Sequence, residues 1–148
     1  MITGGCRCGA VRYTVALERM LRTYACHCTL CQRASGSSFA HQMPVPEAAL
    51  SVTGELRTAI VTSVSGAVST GYHCAACVGR LYSTNSRWPG MAIVRAGTVD
   101  GSERLTPALH IFTSTMQPWI ALPRDVPAFE ESAPPAELAT ILELAPPA

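Results

Sequence analysis

The sequence has no lysine, few charged residues and no long apolar run. All 11 basic residues are arginine, charged residues make up 14% of the 148 positions, and the net charge is +1. A typical protein carries about 25% charged residues. The arginines are scattered, so the basic patch of a nucleic-acid-binding protein is missing. No stretch approaches the roughly 18 apolar residues of a membrane span. We therefore expect neither a nucleic acid nor a membrane as partner.

Signals for secretion and for serine hydrolysis are also missing. The first residues, MITGGCRC, contain neither a basic region nor an apolar region of the kind found in signal peptides. We therefore expect a cytoplasmic protein. No G-x-S-x-G motif occurs, which argues against a serine hydrolase. The length fits one ordinary domain that can bury its own core.

Short runs with β-branched and aromatic residues predict strands. They lie between turn signals such as Pro89-Gly90 and Asp100-Gly101. Many short strands without alternating long helices favour a mainly β, antiparallel architecture. The predicted strands cover residues 11–17, 21–26, 38–43, 57–64, 80–84, 91–97 and 107–113.

Three short helices are predicted beside these strands. The first spans 29–34 and ends at Gly36, and the second spans 46–50, with Pro46 at a favourable first position. At Ser132 the composition changes to SAPPAELATILELAPPA. We therefore divide the chain into a domain of residues 1–131 and an Ala/Pro-rich tail of residues 132–148. The tail contains the third predicted helix, a short amphipathic one within 136–144.

The seven cysteines form three clusters, and this clustering is the strongest functional signal in the sequence. The clusters are C-x-C at Cys6 and Cys8, C-x-C-x-x-C at Cys26, Cys28 and Cys31, and C-x-x-C at Cys74 and Cys77. In a reducing cytoplasm, such spacings favour a metal over disulfides. Zinc is the expected metal, because tetrahedral sulfur sites usually hold zinc or an iron–sulfur cluster. Disulfides and an iron–sulfur cluster remain the alternatives.

The two outer clusters together make one closed set of four thiols. Each is followed closely by a glycine, Gly9 or Gly79, as in the two knuckles of a zinc-ribbon site. Four thiolates complete a tetrahedral zinc and leave no position for a substrate, so we predict a structural zinc there. The predicted ligands are Cys6, Cys8, Cys74 and Cys77.

The central cluster leaves three thiols, which is the ligand number of a catalytic zinc with an open fourth position. Two zinc ions per chain follow from this partition. The alternative is a fourth protein ligand, which would make the second zinc structural as well. His27 is disfavoured in that role, because alternation in an extended segment points it away from Cys26 and Cys28. The other histidines remain open as ligands, namely His41, His73 and His110.

The order of these motifs resembles the glutathione-dependent formaldehyde-activating enzyme family, which also contains centromere protein V. The shared features are C-x-C-G, then C-x-C-x-x-C-Q-R-x-S-G, then an aromatic-x-C-x-x-C. Residues 96–131 resemble the family's tail, with its His-aromatic pair, Pro-Trp, Leu-Pro and Phe-Glu. The resemblance runs from Gly4 to Glu131. It implies an antiparallel β-tent-like fold related to zinc ribbons.

The resemblance also implies an activity. It matches Cys26, Cys28 and Cys31 to the family's catalytic zinc ligands, and the other four cysteines to its structural zinc ligands. The family's named reaction joins formaldehyde to glutathione, giving S-(hydroxymethyl)glutathione, and is classed as a carbon–sulfur lyase reaction. The expected function is therefore zinc-dependent chemistry on a thiol and a small aldehyde. A non-catalytic thiol binder or a zinc-stabilised interaction module is the alternative, and the oligomeric state is not determined.

Some positions depart from the family pattern or have two interpretations. Ser69 and Thr70 stand where the family commonly has arginine. The family's C-x-x-C-G is C-A-A-C-V-G here, which moves the glycine by one position. Arg33 follows the three thiols and is a candidate ligand for a substrate carboxylate, or else a solvated helix residue. The tail residues His110, Phe112 and Trp119 either line the pocket or pack in the core.

Overall fold

The computed structural model describes residues 1–144, and these are mainly β-structure. The two α-helices in this part of the chain are α1 (Thr29–Ser35) and α2 (Pro135–Ile141). Neither is long and apolar enough to cross a membrane. The strands of the described residues are β1 (Ile2–Gly5), β2 (Arg12–Val15), β3 (Thr23–Cys26), β4 (Ala40–Pro46), β5 (Leu50–Thr53), β6 (Leu56–Thr62), β7 (Val68–Cys74), β8 (Arg80–Asn85), β9 (Met91–Arg95) and β10 (Pro107–Ile111).

The contacts divide the chain into two compact units, and each unit is built from two separate chain segments. The first unit contains Met1–Met20 and Met43–Ser102, and the second contains Leu21–Gln42 and the described residues from Glu103 to 144. The predicted division into residues 1–131 and a tail stays a prediction.

The first unit contains two antiparallel arrangements. In one, β2 lies between β1 and β5, with Gly4 opposite Tyr13. Alternation along β2 buries Tyr13 and Val15, as expected for a strand with one face in the core. In the other, β6, β7, β8 and β9 follow one another as antiparallel neighbours. Both arrangements carry cysteines near a strand end: Cys6 follows β1, and Cys74 ends β7.

The second unit places the central cysteine cluster at the end of a buried strand. All four residues of β3 are buried. On one side β3 pairs antiparallel with β4, so that Tyr24 faces Gln42. On the other side it pairs in parallel with β10, so that Cys26 faces Ile111. Parallel pairing needs a long crossover connection, and the connection between β3 and β10 is long enough to provide it.

The mainly β, largely antiparallel fold predicted from the sequence is confirmed, while the relation to zinc ribbons stays a prediction. Each of the seven predicted runs contains a strand, but β1, β5 and β7 were not predicted. Their sequences, ITGG, LSVT and VSTGYHC, are short, glycine-containing or polar, which weakens the strand signal. The parallel pairing of β10 departs from the predicted antiparallel arrangement.

The first and third predicted helices are confirmed with adjusted bounds, whereas the second is not an α-helix. Helix α1 ends at Ser35, and Gly36 caps it with a φ of 63°. The helix predicted at residues 46–50 is a single 3-10 turn, Glu47–Ala49. Helix α2 is shorter than the predicted 136–144 and is followed by the fully buried Leu142. Glu143, just beyond it, forms an ion pair with Arg22 of the second unit.

Candidate metal centres

Two tight turns bring four cysteines together in the first unit. The first turn follows β1, where the Cys6 N–H donates to the Val11 carbonyl at 3.0 Å and the Gly9 N–H donates to the Cys6 carbonyl at 3.1 Å. Gly9 has a φ of 79°, which glycine adopts without steric cost. The turn reverses the chain between β1 and β2, so that Cys6 and Cys8 lie at one end of this hairpin.

The second turn follows β7 and contains a strained residue. The Val78 N–H donates to the Cys74 carbonyl and the Cys74 N–H donates to the Gly79 carbonyl, both at 3.0 Å. Val78 has a φ of 60°, a left-handed conformation that is unfavourable for a β-branched residue. The position directly after the second cysteine is thus the one that needs left-handed geometry. In this chain the glycine of the family's motif, Gly79, is one residue further on, and Val78 adopts the strained conformation.

The four sulfur atoms fit a single tetrahedral ion. The Cys6 and Cys8 Sγ atoms are 3.5 Å apart, the Cys8 and Cys74 Sγ atoms are 3.8 Å apart, and all four lie within 4.8 Å of one another. Sulfurs at about 2.3 Å from a tetrahedral zinc are themselves separated by about 3.8 Å. A disulfide would place two sulfurs at about 2.05 Å, whereas all seven cysteines are free thiols.

Hydrogen bonds within this group favour the thiolate form at Cys6 and Cys77 and disfavour it at Cys8. Burial raises the pKa of Cys6, but donation from the Val11 N–H and from Cys8 and Cys74 outweighs burial and lowers the pKa to about 6. The Gly79 N–H is the main cause that lowers the pKa of Cys77. For Cys8, the Ala10 N–H lowers the pKa, but sharing protons with Cys6 and Cys77 raises it to about 11. A cation is therefore the natural partner of this cluster.

The second unit brings together the three remaining cysteines at the start of α1. Cys26 ends β3 and is buried, whereas Cys28 and Cys31 are half-buried. Cys28 is the N-cap of α1, and its Sγ atom accepts the Cys31 N–H at 3.3 Å. In most helices an oxygen of Ser, Thr, Asp or Asn fills this role. The three Sγ atoms lie within 4.8 Å of one another, so they also fit one metal ion.

Proton sharing among these three thiols concentrates negative charge on one of them. Hydrogen bonds from Cys26 and then Cys31 strongly lower the pKa of Cys28, and the backbone N–H groups of Cys31 and Leu30 add to the effect. The same sharing with Cys28 raises the pKa of Cys26. These shifts favour the thiolate form at the half-buried Cys28, which is the N-cap of α1.

Among the described residues, no histidine joins either cysteine group. His27 is fully buried, and its Nε2 lies 2.9 Å from Nδ1 of His110. His41 is bound through Nε2 to the Thr23 hydroxyl at 2.7 Å, and His73 lies in the first unit. His27 thus lies outside both cysteine groups and bonds to His110 instead.

The segment around His27 is held by side chains that the sequence did not point to. The His27 carbonyl accepts from Gln32 Nε2 at 2.8 Å and from the Thr115 hydroxyl at 3.1 Å. Gln117 in turn donates to Gln32 Oε1 at 2.8 Å. These bonds fix the peptide between Cys26 and Cys28. Period and composition carried no signal for them, and Thr115 and Gln117 lie 88 and 85 positions from their partners.

The remaining predicted site residues differ in their surroundings. Arg33 is exposed in the last turn of α1, and its role stays a prediction. His110 is buried, Phe112 is half-buried and Trp119 is 73% exposed, so Trp119 is not a core residue. One neighbour of the cysteines was not predicted at all: Gln42 donates from Nε2 to Cys31 Sγ at 3.5 Å.

The fold is mainly β, and it carries two thiol clusters that could each hold a metal ion. The family model "Glutathione-dependent formaldehyde-activating enzyme" matches residues 1–115, and the chain belongs to this family. A curated protein of Halomonas elongata, which carries the provisional name of a glutathione-dependent formaldehyde-activating enzyme, is 26% identical over 127 residues. That alignment covers 82% of this chain and 81% of the relative.

A solved structure shares the fold. The crystal structure of a Rhodobacter sphaeroides protein superposes with a TM-score of 0.54, covering 85% of this chain and 98% of the other. The two sequences are 20% identical. This similarity supports the architecture alone.

Proposed function

We propose that the protein is a zinc-dependent enzyme of the carbon–sulfur lyase type, which joins a thiol to a small aldehyde at Cys26, Cys28 and Cys31. The observation that carries the proposal is the contrast between the two cysteine groups. Four sulfurs complete one tetrahedral set, whereas the other set has three sulfurs and no fourth protein ligand among the described residues. The family supports glutathione and formaldehyde as the substrates.

The donor chemistry fits zinc at both groups, since thiolates are soft ligands that zinc accepts in tetrahedral sets. When bound at the three-cysteine group, zinc supplies a strongly lowered pKa for a substrate thiol. The chain's own residues provide access and orientation. Cys28 and Cys31 are half-buried and face solvent in part, while Cys26 anchors the group to β3. The bonds to the His27 carbonyl keep the cysteine segment in one conformation.

The proposed reaction is an addition in which all atoms are retained. The substrate sulfur attacks the aldehyde carbon, a carbon–sulfur bond forms, and the carbonyl oxygen takes up the proton that the thiol loses. The product is an S-hydroxymethyl adduct, which is a hemithioacetal, and the reverse reaction breaks the same carbon–sulfur bond. Holding the two reactants together contributes through proximity and orientation.

The four-cysteine group is proposed to hold a structural zinc. It links the C-x-C turn to the C-x-x-C turn across the 66 positions between Cys8 and Cys74. Metal binding at such a closed site contributes directly to the free energy of folding. Reduced thiols in both groups also fit the proposed cytoplasmic location.

Glutathione is the proposed thiol, and its carboxylates need cationic or hydrogen-bonding partners. Arg33, exposed two positions after Cys31, is the proposed contact. Ser69 and Thr70 stand where the family commonly has arginines, so two cationic partners for the carboxylates are missing there. Activity with glutathione should therefore be compared with activity on smaller thiols. An enzyme that uses Arg33 should lose more activity with glutathione than with cysteamine when Arg33 is changed to Gln.

Zinc content tests the assignment of the two groups. We expect two zinc ions per chain in the wild type and one in Cys28→Ser, with the circular dichroism spectrum unchanged. Cys74→Ser is the matched variant in the other group, and we expect it to lose the fold together with its zinc. A single zinc in the wild type, or two in Cys28→Ser, would refute the proposed pair of sites.

Product formation tests the enzyme itself. With ¹³C-formaldehyde and glutathione, exchange NMR measures the rate at which the adduct forms and breaks. We expect the wild type to accelerate this exchange and Cys28→Ser to leave it at the uncatalysed rate. If the wild type binds glutathione with two zincs present but leaves the exchange rate unchanged, the protein is a thiol-binding module and not an enzyme.

A further inference from the structure

The side-chain amide of Gln42 donates a hydrogen bond to a sulfur of the three-cysteine group. Its Nε2 atom lies 3.5 Å from Cys31 Sγ, within the range of an N–H···S hydrogen bond. Gln42 is only 8% exposed, so its amide does not exchange this contact freely with water. The amide therefore belongs to the immediate surroundings of the three thiols.

Tyr24 fixes the orientation of the Gln42 amide. The Tyr24 hydroxyl lies 2.6 Å from Gln42 Oε1, and the two residues are direct cross-strand partners on β3 and β4. A thiolate can only accept a hydrogen bond, so the amide must turn its NH₂ group to Cys31 and its oxygen to Tyr24. The hydroxyl then donates to that oxygen and holds the amide in this orientation.

The strand geometry explains why these side chains meet at the cysteines. Side chains two positions apart share one face of a strand, so Tyr24 and Cys26 lie on the same face of β3. Gln42, opposite Tyr24 on β4, shares that face. Cys31 reaches the same face from the first turn of α1, while His41 and Thr23 bond to each other on the opposite face.

We propose that Gln42, oriented by Tyr24, is a positioning residue that sets the metal affinity of the three-cysteine group and favours a fourth, anionic sulfur ligand. The inference rests on the proposed function. Three thiolates bring three negative charges to one ion, and a fourth thiolate from a substrate adds another. A donor to Cys31 disperses part of this charge, because hydrogen bonds to ionised acceptors are stronger than neutral ones.

The Gln42 contact differs from the hydrogen bonds in the four-cysteine group, because its donor is a side chain. Its sulfurs receive backbone donors, the Val11 N–H to Cys6 and the Cys77 N–H to Cys74. Cys28 in the three-cysteine group likewise accepts a backbone N–H. The Gln42 donor can be removed by substitution without altering the main chain, and so its effect can be measured separately.

The test measures zinc affinity by competition with a chromophoric chelator, in the absence of any thiol. Substituting a residue that orients a metal ligand typically costs about 10–100-fold in affinity. We expect Gln42→Met, which keeps the volume and removes the donor, to weaken the three-cysteine group by about tenfold or more. The four-cysteine group of the same molecule is the internal control, and its affinity should stay within twofold.

A double-mutant cycle tests whether Tyr24 acts through Gln42. We expect Tyr24→Phe to weaken the same group by less than Gln42→Met does, and the double variant to match Gln42→Met alone. A shift of the sulfur-to-metal charge-transfer band in the cobalt-substituted protein should accompany each loss. Tyr24→Phe removes a single hydroxyl, so it carries the test even if Gln42→Met fails to fold.

Some outcomes would overturn the inference without touching the proposed function. If wild type and Gln42→Met bind zinc equally, with only the stability of the metal-free protein lowered, Gln42 is a buried structural amide. Full additivity of the two substitutions would show that Tyr24 does not act through Gln42. A further readout is glutathione binding at saturating zinc, which should weaken in Gln42→Met. A wild-type group that binds no zinc would instead overturn the proposed function.

Discussion

Val78 should destabilise the protein at a position where glycine would not. Its φ of 60° places a β-branched residue in the left-handed region, which costs an L-residue about 1–2 kcal/mol. The side chain is 64% exposed, so its loss removes little buried area. Glycine adopts this conformation freely but loses about 0.5–1 kcal/mol more conformational entropy on folding. The balance is a net stabilisation of about 1 kcal/mol for Val78→Gly.

The assay is urea denaturation at a fixed concentration of free zinc, because any metal ion that binds the folded state would add to the measured stability. Thermal unfolding gives a second readout. For a chain of this length, a stabilisation of about 1 kcal/mol corresponds to a rise of roughly 2–4 °C in the melting temperature. Val78→Ala should lie close to the wild type, since alanine keeps the Cβ atom that causes the strain.

Val61→Gly is the matched control. Val61 is 61% exposed on β6 and has no positive φ, so glycine there should lower the stability by up to about 1 kcal/mol. Opposite signs for the two valines are the expected result. If Val78→Gly destabilises the protein as Val61→Gly does, the left-handed strain at the C-x-x-C turn is not the controlling effect.

Two further predictions concern the first unit. A Cβ atom at Gly4 would lie 2.3 Å from the Tyr13 ring and 2.4 Å from the Thr98 carbonyl, whereas one at Gly97 meets nothing within 4 Å. Gly4→Ala should therefore lower the stability by about 3 kcal/mol or more through overpacking. Gly97→Ala, measured by the same urea denaturation, should be near neutral. Burial raises the pKa of Tyr13 to about 12, with the Thr98 hydroxyl opposing it, against about 10 in the unfolded chain. The contribution of the protonated Tyr13 to the free energy of unfolding is complete below pH 10 and is lost as the pH rises through 12. The stability should therefore fall by about 2–3 kcal/mol over that window. Tyr13→Phe should show a shallower fall between pH 10 and 12, and equal slopes for both proteins would contradict the assignment.

The cysteine groups could be predicted from the sequence because their ligands come in local turns. C-x-C and C-x-x-C spacings restrict where the sulfurs can point, so the clusters at 6–8, 26–31 and 74–77 already indicated which thiols meet. The prediction that four of them form one set is matched by their distances. The end of α1 at Gly36 could also be predicted from local sequence, since the helix cap depends on one residue.

The surroundings of the groups could not be predicted, because they depend on strand register. Gln42 reaches Cys31 only because β4 pairs with β3 in one particular register, which sets Tyr24 opposite it. A shift by one residue would have placed His41 on that face instead. The contact between His27 and His110 depends on β10 lying parallel beside β3, and the local signal that predicts each strand does not show which distant strands pair.

The order in which the chain is synthesised has a consequence for the three-cysteine group. Its thiols are made early, but His27 precedes its partner His110 by 83 positions. At about 5–20 residues per second, translation takes on the order of 4–17 s to reach the strand that covers β3. During that interval a nascent chain carries three clustered, reactive thiols whose final neighbours do not yet exist. Early capture of a metal ion would protect them from oxidation, so the metal supply during translation should influence the yield of intact protein.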